Sequence, residues 1–282
     1  MPTHSPAADR AALVSAGDPL SASRIAAALE PALRMRIGDL AVHQQLDSTN
    51  SELQRRVAHD ARDLLVCLAD IQTSGRGRRG RAWYTPLGSG IAFSLLKRFD
   101  GGMNVLAGLS LVAGIATLDA LADLGVRDVG LKWPNDLVAD GRKLGGILVE
   151  IGGSATASCH AVIGIGLNVR LDAQAGAAID QPWTDLATLN ENAAADRNAI
   201  AARLVTRLVA ALDRFTRAGF ASFAGDYARH DVLRGQRIHV LQGNVTRTGT
   251  ALGVDARGAL RVACADGEYA LDSGEVSVRR AP

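Results

Sequence analysis

Four arginines and three glycines lie within the seven residues Gly75 to Arg81 of this 282-residue chain. The glycines follow the spacing G-x-G-x-x-G, which occurs in dinucleotide-binding loops and in protein kinases. Arginine offers several donors to a carboxylate or a phosphate, and glycine lets backbone N–H groups approach an anion. The composition therefore indicates an anion-binding loop, although the spacing alone is equally compatible with a solvated surface loop.

The residues around this loop distinguish among these classes of protein. A dinucleotide-binding loop is followed by a helix, but residues 82–90, AWYTPLGSG, contain a proline and two glycines. The kinase motifs H-R-D, D-F-G and A-P-E do not follow either. The balance of 31 basic and 29 acidic residues argues against a nucleic-acid-binding surface. We therefore predict a loop between two apolar strands, at residues 64–69 and 91–96.

A second group of polar residues lies near the middle of the chain. Lys132, Asn135 and Asp136 flank Trp133-Pro134, which predicts an extended, non-helical segment. Carboxylate and amide oxygens beside a phosphate suit Mg²⁺, whereas the same residues also fit a turn closed by an Asx hydrogen bond. Lys143 follows Asp140-Gly141, which is a hairpin signal, and by itself it would be an ordinary hairpin lysine.

Several smaller signals accompany these two groups. Glycines at 145–146, 164 and 166 interrupt predicted strands, which indicates that something approaches the backbone there. Thr49 with Glu52 three residues later fits a capping box at a helix start. Gln72 follows a predicted buried strand, and Asn168 ends another. Each of these polar residues also fits a purely structural role.

The elements that must position these residues indicate an α+β fold. The predicted strands lie at 42–46, 64–69, 91–96, 137–138, 144–151 and 160–169, and the last three form an antiparallel meander. Helices are predicted around 23–32, where Pro31 interrupts, at 103–124 and around 200–215. Five short strands between 237 and 278 indicate a small barrel. The fold class is thus a mixed, largely antiparallel sheet with flanking helices plus a small C-terminal β-barrel.

The composition constrains the cellular setting. Cys67, Cys159 and Cys264 are far apart, and no C-x-x-C motif occurs, which predicts a reduced, cytoplasmic protein without structural zinc. The first 19 residues contain charges and prolines where a secretory signal would have an apolar core. The longest uncharged run, 101–118, is barely long enough to span a membrane. We expect it to be a buried core helix, and we expect no membrane association.

Five segments, taken in order along the chain, resemble the biotin protein ligases: DSTN (47–50), ADIQTSGRGRRGRAWYTPLGSG (69–90), KWPNDL (132–137), RKLGGILVE (142–150) and IGIGLNV (163–169). The terminal SGEVSVR (273–279) is similar to that family's C-terminal SH3-like barrel. The resemblance implies an N-terminal extension at 1–42, a biotin/lipoate ligase-like catalytic domain at 43–233 and an SH3-like domain at 234–282.

The resemblance also implies a reaction. These enzymes join biotin to ATP with Mg²⁺, giving biotinyl-5′-AMP and pyrophosphate, and then transfer biotin to a lysine of the biotin carboxyl carrier protein of acetyl-CoA carboxylase. A carboxylate that attacks a phosphate meets charge repulsion, which fixed cations and Mg²⁺ relieve. A closing loop would also keep water from the mixed anhydride. We therefore predict that the glycine-arginine loop is a lid that orders over its ligands.

The same resemblance assigns a role to each matching residue. The catalytic residues would be Lys143, which bridges the carboxylate and the α-phosphate, and Arg78. The residues implied to bind biotin are Ser48, Thr49, Asn50, Gln72, Gly75, Arg76, Gly77, Arg78, Lys143, Gly146 and Gly164. The residues implied to bind ATP are Arg78, Arg79, Gly80, Arg81, Trp83, Lys132, Asn135 and Asn168. Asp136 would face Mg²⁺, and Gly164 and Gly166 would give the adenylate room at the backbone.

Two alternatives and two departures accompany this interpretation. A lipoate-type protein ligase and a nucleic-acid-binding regulator are the alternatives. Only 46 residues precede Asp47, too few for the winged-helix DNA-binding domain and linker that some family members carry, and we therefore predict a ligase without DNA binding or repressor function. A homodimer is left open. Asp70 stands where the family often has Glu, with little expected consequence.

Overall fold

The structure is a computed structural model that describes residues 19–172, 176, 179, 181–242, 245–272 and 276–280. Residues 1–18 of the predicted N-terminal extension therefore lie outside the described residues. The same holds for the SGE at 273–275 that begins the C-terminal motif.

A seven-stranded mixed sheet forms the larger unit. Its strands are β1 (Asp39–Leu46), β2 (Leu65–Gln72), β3 (Gly90–Phe99), β4 (Gly130–Lys132), β5 (Asp136–Ala139), β6 (Arg142–Gly153) and β7 (Cys159–Asn168). Their order in the sheet is β1-β2-β3-β7-β6-β5-β4. Only β1 and β2 pair in parallel, and the other neighbours are antiparallel. The predicted α+β class with a mixed, largely antiparallel sheet is confirmed.

Helices cover both faces of this sheet. They are α1 (Ala22–Ala27), α2 (Pro31–Arg36), α3 (Thr49–Arg56), α4 (Leu109–Asp123), α5 (Leu186–Leu189), α6 (Glu191–Ala194), α7 (Arg197–Ala218) and α8 (Ala224–His230). The long helices α4 and α7 pack against each other and build the main core with Val66, Phe93 and Ile163. Because side chains alternate along a strand, Leu65, Cys67 and Val162 point to the opposite face and pack against Leu53 of α3.

Three predicted elements differ from the observed ones. The helix predicted over 103–124 is broken at Gly108, whose φ of 78° is left-handed; Met103–Leu106 is a 3-10 turn, and α4 begins afterwards. The extended segment at 131–137 is two strands, β4 and β5, folded back at the cis Trp133-Pro134 peptide. Pro31 begins α2, because proline is well suited to the first turn of a helix.

The N-terminal segment is integral to the larger unit. Asn198, at the start of α7, accepts from the Ser21 backbone N–H at 2.8 Å and donates to the Pro19 carbonyl at 3.2 Å. Leu20 and Ile25 are buried in the main core. The domain boundary predicted at residue 42 falls within β1, and we propose instead that the catalytic unit begins before that strand. The boundary at 233/234 remains a proposal.

A second, five-stranded sheet forms the C-terminal unit. It consists of β8 (Arg237–Gln242), β9 (Val245–Val254), β10 (Leu260–Cys264), β11 (Gly267–Leu271) and β12 (Val276–Arg280), in the order β11-β10-β9-β8-β12, and every neighbouring pair is antiparallel. The five predicted strands are confirmed, while closure into an SH3-like barrel stays a prediction.

The turn between β9 and β10 contacts the larger unit. The Trp133 indole Nε1 donates to the Gly258 carbonyl at 3.1 Å. A Cβ on Gly258 would lie 2.9 Å from Gly108 Cα. The two units are therefore joined at close backbone distance, at the point where the predicted long helix breaks.

One described segment, Met103–Asp123, is long and apolar enough to cross a membrane, judged by length and composition alone. Most of it is buried inside the protein, and the core helix of a soluble protein passes the same test. Its burial confirms the prediction of a core helix.

Candidate active site

A cavity of about 330 Å³ opens on one face of the larger sheet. Its walls come from the start of α3, the C-terminal end of β2, the loop after β2, strands β5 to β7 and the segment before α5. The predicted residues that line it are Ser48, Thr49, Asn50, Gln72, Arg76, Gly77, Arg78, Arg81, Trp83, Asn135, Asp136, Lys143, Gly146, Gly164, Gly166 and Asn168. Residues spread over 120 positions of sequence thus meet in one place.

The glycine-arginine loop folds back on itself at the cavity mouth. The Gly77 N–H donates to the Arg81 carbonyl at 2.7 Å, and the Trp83 N–H donates to the Gly75 carbonyl at 2.8 Å. Arg79 at the tip has a left-handed φ of 59°. A Cβ on Gly75 would collide with the Trp83 carbonyl oxygen, so this position requires glycine. The predicted strand–loop–strand arrangement is confirmed, and ordering of the loop over ligands stays a prediction.

The start of α3 supplies the cavity floor. Ser48 is the helix N-cap, with its side chain accepting from the Ser51 N–H at 3.4 Å. The predicted capping box of Thr49 with Glu52 is wrong, because the N-cap is Ser48, one residue earlier. Ser48 takes the cap, and Thr49 faces the end of β2, where its backbone N–H donates to Gln72 Oε1 at 2.9 Å. Ser48 and Thr49 are each 3% exposed.

Asn50 joins this floor to the loop through a residue that the sequence interpretation did not single out. Its Nδ2 donates to Glu150 Oε2 at 2.7 Å. Arg76 Nη2 donates to both carboxylate oxygens of the same Glu150, at 3.0 and 3.1 Å. Glu150 therefore connects the floor of the cavity to the first arginine of the loop. A lone acidic residue in the apolar strand pattern LGGILVEI was the available signal.

Lys143 lies opposite the loop. Its Nζ is 2.7 Å from Asp136 Oδ1 and 5.8 Å from the centre of the Trp83 ring. Both members of the ion pair are largely shielded, with side chains 15% and 20% exposed. The backbone of Lys143 pairs with the segment before α5, donating to the Pro182 carbonyl at 2.8 Å and accepting from Thr184 at 2.9 Å. This pairing brings Trp183 into the cavity wall.

Arg78 carries a positive charge into a half-buried position. Burial lowers the pKa of its guanidinium, Asp136 partly offsets this, and Arg81 and Arg79 add to the lowering. Arg78 Nη1 donates to Asn135 Oδ1 at 3.4 Å. A bound anion would reduce the repulsion among the three arginines. It would also offset the free-energy cost of burying the Arg78 charge.

Two glycines on β7 make room for side chains of the protein. The space beside Gly164 holds the Asn50 amide, and the space beside Gly166 holds the Trp83 indole. The prediction of a close approach to the backbone at these positions is confirmed. Their role toward an adenylate stays a prediction.

Four of the predicted site residues do not line the cavity as it stands, namely Gly75, Arg79, Gly80 and Lys132. Gly75 shapes the base of the loop, and Arg79 and Gly80 form its tip. Lys132 lies on β4, where it pairs with Asp136 in register. Any contact of these four with a ligand stays a prediction.

Asp70 has a larger structural role than the sequence suggested. Its Oδ1 accepts from Arg197 Nη2 at 2.7 Å, and the two side chains are 7% and 3% exposed. Arg197 also donates to the Gly90 carbonyl at 3.3 Å. Removing one partner of such a buried pair typically costs about 3–5 kcal/mol. Loss of the carboxylate at this position would therefore destabilise the protein, while the small effect expected of Asp in place of Glu stays a prediction.

The described residues on the cavity wall offer oxygen donors that suit a hard metal ion. Among the described residues, no group of three or more His, Cys, Asp or Glu could hold a metal by itself. Mg²⁺ commonly takes one or two carboxylates and completes its shell with water and substrate phosphates. Asp136 and Asn135 offer one carboxylate and one amide oxygen on the cavity wall. These residues fit a magnesium ion that arrives with a phosphate ligand.

Comparison with protein families defines the class. Residues 42–168 match the Biotin/lipoate A/B protein ligase family, and residues 234–279 match the Biotin protein ligase C terminal domain. The second match covers the strands of the C-terminal sheet.

Individual relatives narrow the class. The chain is 37% identical over 243 residues to the biotin--[acetyl-CoA-carboxylase] ligase of Mycobacterium tuberculosis, covering 84% of this chain and 88% of that protein. It is 35% identical over 244 residues to the bifunctional ligase/repressor BirA of Escherichia coli, covering 86% of this chain and 75% of that protein. The biotin protein ligase of Aquifex aeolicus, solved in complex with biotin and ATP, superposes with a TM-score of 0.71 at 27% identity, over 87% of this chain and all of that one. The chain belongs to the biotin protein ligase family.

Proposed function

We propose that this protein attaches biotin to a lysine of the biotin carboxyl carrier protein of acetyl-CoA carboxylase, through biotinyl-5′-AMP. The observation that carries the proposal is the meeting of a polar floor with four cationic side chains in one cavity. Ser48, Thr49 and Gln72 form the floor, and the cations are Arg76, Arg78, Arg81 and Lys143. Biotin has a polar ureido ring at one end of an apolar chain and a carboxylate at the other. The polar floor suits the ring, and the cations suit the carboxylate.

Two chemical steps follow from this arrangement. In the first, a biotin carboxylate oxygen bonds to the α-phosphorus of ATP while the bond to pyrophosphate breaks. Lys143 would exchange Asp136 for the carboxylate and α-phosphate oxygens, and Arg78 would neutralise charge on the phosphate. In the second, the carrier lysine attacks the acyl carbon, AMP leaves and the amine loses a proton. The side chains supply charge and orientation, which is what phosphoryl chemistry chiefly requires.

Mg²⁺, when bound with ATP, would neutralise phosphate charge, and Asp136 with Asn135 are the residues that would hold it. The Trp83 and Trp183 rings would flank the nucleotide and exclude water from the reactive anhydride. We assign the reaction to the cytoplasm, in keeping with three widely spaced cysteines and no C-x-x-C motif. A homodimer and the absence of DNA binding stay predictions.

The first test is the variant Lys143→Ala with ATP, Mg²⁺ and biotin. Loss of the cation that meets the reacting oxygens should slow adenylate formation by about 10²–10³-fold. The matched control is Lys97→Ala: this lysine also pairs with an aspartate, Asp63, lies 5.6 Å from the Phe99 ring centre and is 17% exposed, but it is outside the cavity. An adenylate rate unchanged in folded Lys143→Ala would refute the role of Lys143.

The second test addresses the whole function. The protein is incubated with ATP, Mg²⁺, an isolated carrier domain and either biotin or lipoate, and the carrier is weighed by mass spectrometry. We expect the mass of a biotinyl group on one lysine and none of lipoyl. A lipoylated carrier, or an unmodified one with both acids, would overturn the proposal.

A further inference from the structure

A line of polar side chains runs beneath the cavity floor and includes a residue with no assigned role. Ser94, on β3, is fully buried. Its Oγ lies 2.6 Å from Asn50 Oδ1 and 2.7 Å from Thr49 Oγ1. Asn50 in turn reaches Glu150, and the Thr49 hydroxyl lies 3.2 Å from Gln72 Oε1. A hydrogen-bonded relay thus runs from Glu150 on β6 through Asn50 and Ser94 to Thr49, whose backbone N–H donates to Gln72 Oε1 at the end of β2.

The direction of every hydrogen bond in the relay is fixed by its acidic end. A carboxylate accepts and does not donate, so Asn50 must turn its Nδ2 toward Glu150. The Leu148 carbonyl, 3.4 Å from the same Nδ2, favours the same orientation. Asn50 Oδ1 therefore faces Ser94 and can only accept, which commits the single hydroxyl hydrogen of Ser94 to it.

The consequence reaches the cavity at Thr49. Because the Ser94 hydrogen is committed to Asn50, the 2.7 Å contact between the two hydroxyls requires the hydrogen of Thr49. The longer 3.2 Å contact between Thr49 Oγ1 and Gln72 Oε1 is then left without a hydrogen. Thr49 Oγ1 then has no hydrogen left for a ligand and can only accept. Gln72 Oε1 is likewise occupied by the Thr49 N–H, which leaves Gln72 an amide donor.

We propose that Ser94 and Glu150 are positioning residues that set the Thr49 hydroxyl as an acceptor for a ligand N–H. The inference rests on the proposed function and deepens it: the floor selects a ring that presents N–H groups beside a carbonyl, as the ureido ring of biotin does. A dithiolane ring, which has neither, leaves Thr49 and Gln72 without partners. Buried polar groups left unpaired reject a ligand strongly.

The direct test is Ser94→Ala, measured as the KM for biotin and the kcat of adenylate formation. Without Ser94 the Thr49 hydroxyl turns freely, and we expect the KM to rise about tenfold while kcat stays within twofold. Binding of biotinamide, which keeps the ureido ring and lacks the carboxylate, should weaken by the same factor. The matched control is Thr117→Val, which removes another fully buried hydroxyl, bonded only to the Ala113 carbonyl of its own helix; its KM should not change.

A second pair of variants keeps the test decisive if Ser94→Ala does not fold. Glu150 is 28% exposed, and Glu150→Gln retains an oxygen that can accept from Asn50, whereas Glu150→Leu does not. Glu150→Gln should keep a KM within about twofold of wild type, and Glu150→Leu should raise it about tenfold. Equal KM values for these two variants, or an unchanged KM in folded Ser94→Ala, would overturn the relay. A wild-type protein that makes no biotinyl adenylate would overturn the proposed function instead.

Discussion

Gly164 illustrates how a single position without a side chain supports the site. Its backbone is ordinary for a strand, yet the place of a Cβ is filled by the Asn50 amide. Asn50 is 4% exposed and cannot move aside without losing Glu150 and Ser94. The absence of a methyl group here is therefore a condition for the relay beneath the floor.

Gly164→Ala should displace Asn50 and destabilise the protein by about 1–3 kcal/mol, the usual cost of overpacking. Denaturant unfolding would measure the free energy, and the biotin KM should rise in parallel. Gly225→Ala is the matched control, because Gly225 lies on α8 with open space at its Cβ position; there a gain of about 0.4–1 kcal/mol is expected. A Gly164→Ala protein as stable as wild type would contradict the crowding.

The sequence identified many of the individual site residues, but it did not show which residues they contact. The glycine-arginine loop, Lys143 and the polar start of α3 were visible because unusual residues interrupt apolar patterns. Glu150, Ser94, Trp183 and the Asp70–Arg197 pair were missed. Each acquires its role from a neighbour on another strand or segment, and single-sequence periodicity does not report which strands become neighbours.

Among the elements, the end of α8 contains a carboxylate that is poorly suited to its surroundings. Asp231 Oδ1 accepts from the Leu233 N–H at 2.9 Å, while Oδ2 is buried without a hydrogen-bond partner. Burial raises the pKa of this carboxyl, and the backbone N–H groups of Leu233 and Arg234 and the charge of Arg234 only partly oppose it. The folded protein therefore binds the proton of this carboxyl more tightly than the unfolded chain does.

Asp231→Asn should change how stability depends on pH. The protonated carboxyl contributes fully below about pH 3.9, the usual pKa of Asp, and this contribution is lost as the pH rises through the raised value. The unfolding free energy of the variant minus that of wild type should therefore increase between pH 4 and pH 7. Asp60→Asn should show the opposite trend at lower pH: because Arg62 lowers the pKa of Asp60 to about 2, the difference between variant and wild type should decrease as the pH rises from about 2 to about 4. Parallel pH profiles for Asp231→Asn and wild type would contradict the assignment.

Element boundaries depended on backbone features that composition hides. The hairpin at Asp140-Gly141 was predicted because both residues suit positive φ, and both adopt it, at 49° and 72°. Gly108 ends the apolar run before α4 for the same reason, but a lone glycine within an apolar stretch gives little warning. The helix cap is Ser48 and not Thr49, so the predicted helix start was one residue too late. Thr49 is therefore not used as the cap and lines the cavity.

For the whole molecule, the contact of Gly258 with Gly108 and Trp133 sets how the two sheets are joined. Gly258→Ala would bring a Cβ against Gly108 Cα, in addition to the strain of alanine at a φ of 85°. Gly235→Ala shares a similar φ of 77° but has open space, so it measures the strain alone. We expect Gly258→Ala to be less stable than Gly235→Ala by about 1–3 kcal/mol, with a shifted indole fluorescence as Trp133 loses its acceptor. If Gly258→Ala and Gly235→Ala unfold with equal free energies, the contact of Gly258 with Gly108 does not hold the two sheets together.

Asn198 holds Ser21 across 177 residues of sequence. During synthesis from the N-terminus at roughly 5–20 residues per second, those residues take about 10–35 s to appear. During that time α1 and β1 have been synthesised, but Asn198 at the start of α7, which holds Ser21, has not. The earliest part of the catalytic unit is thus among the last to become fixed, and a nascent chain must keep Leu20 and Ile25 from other apolar surfaces until α7 arrives.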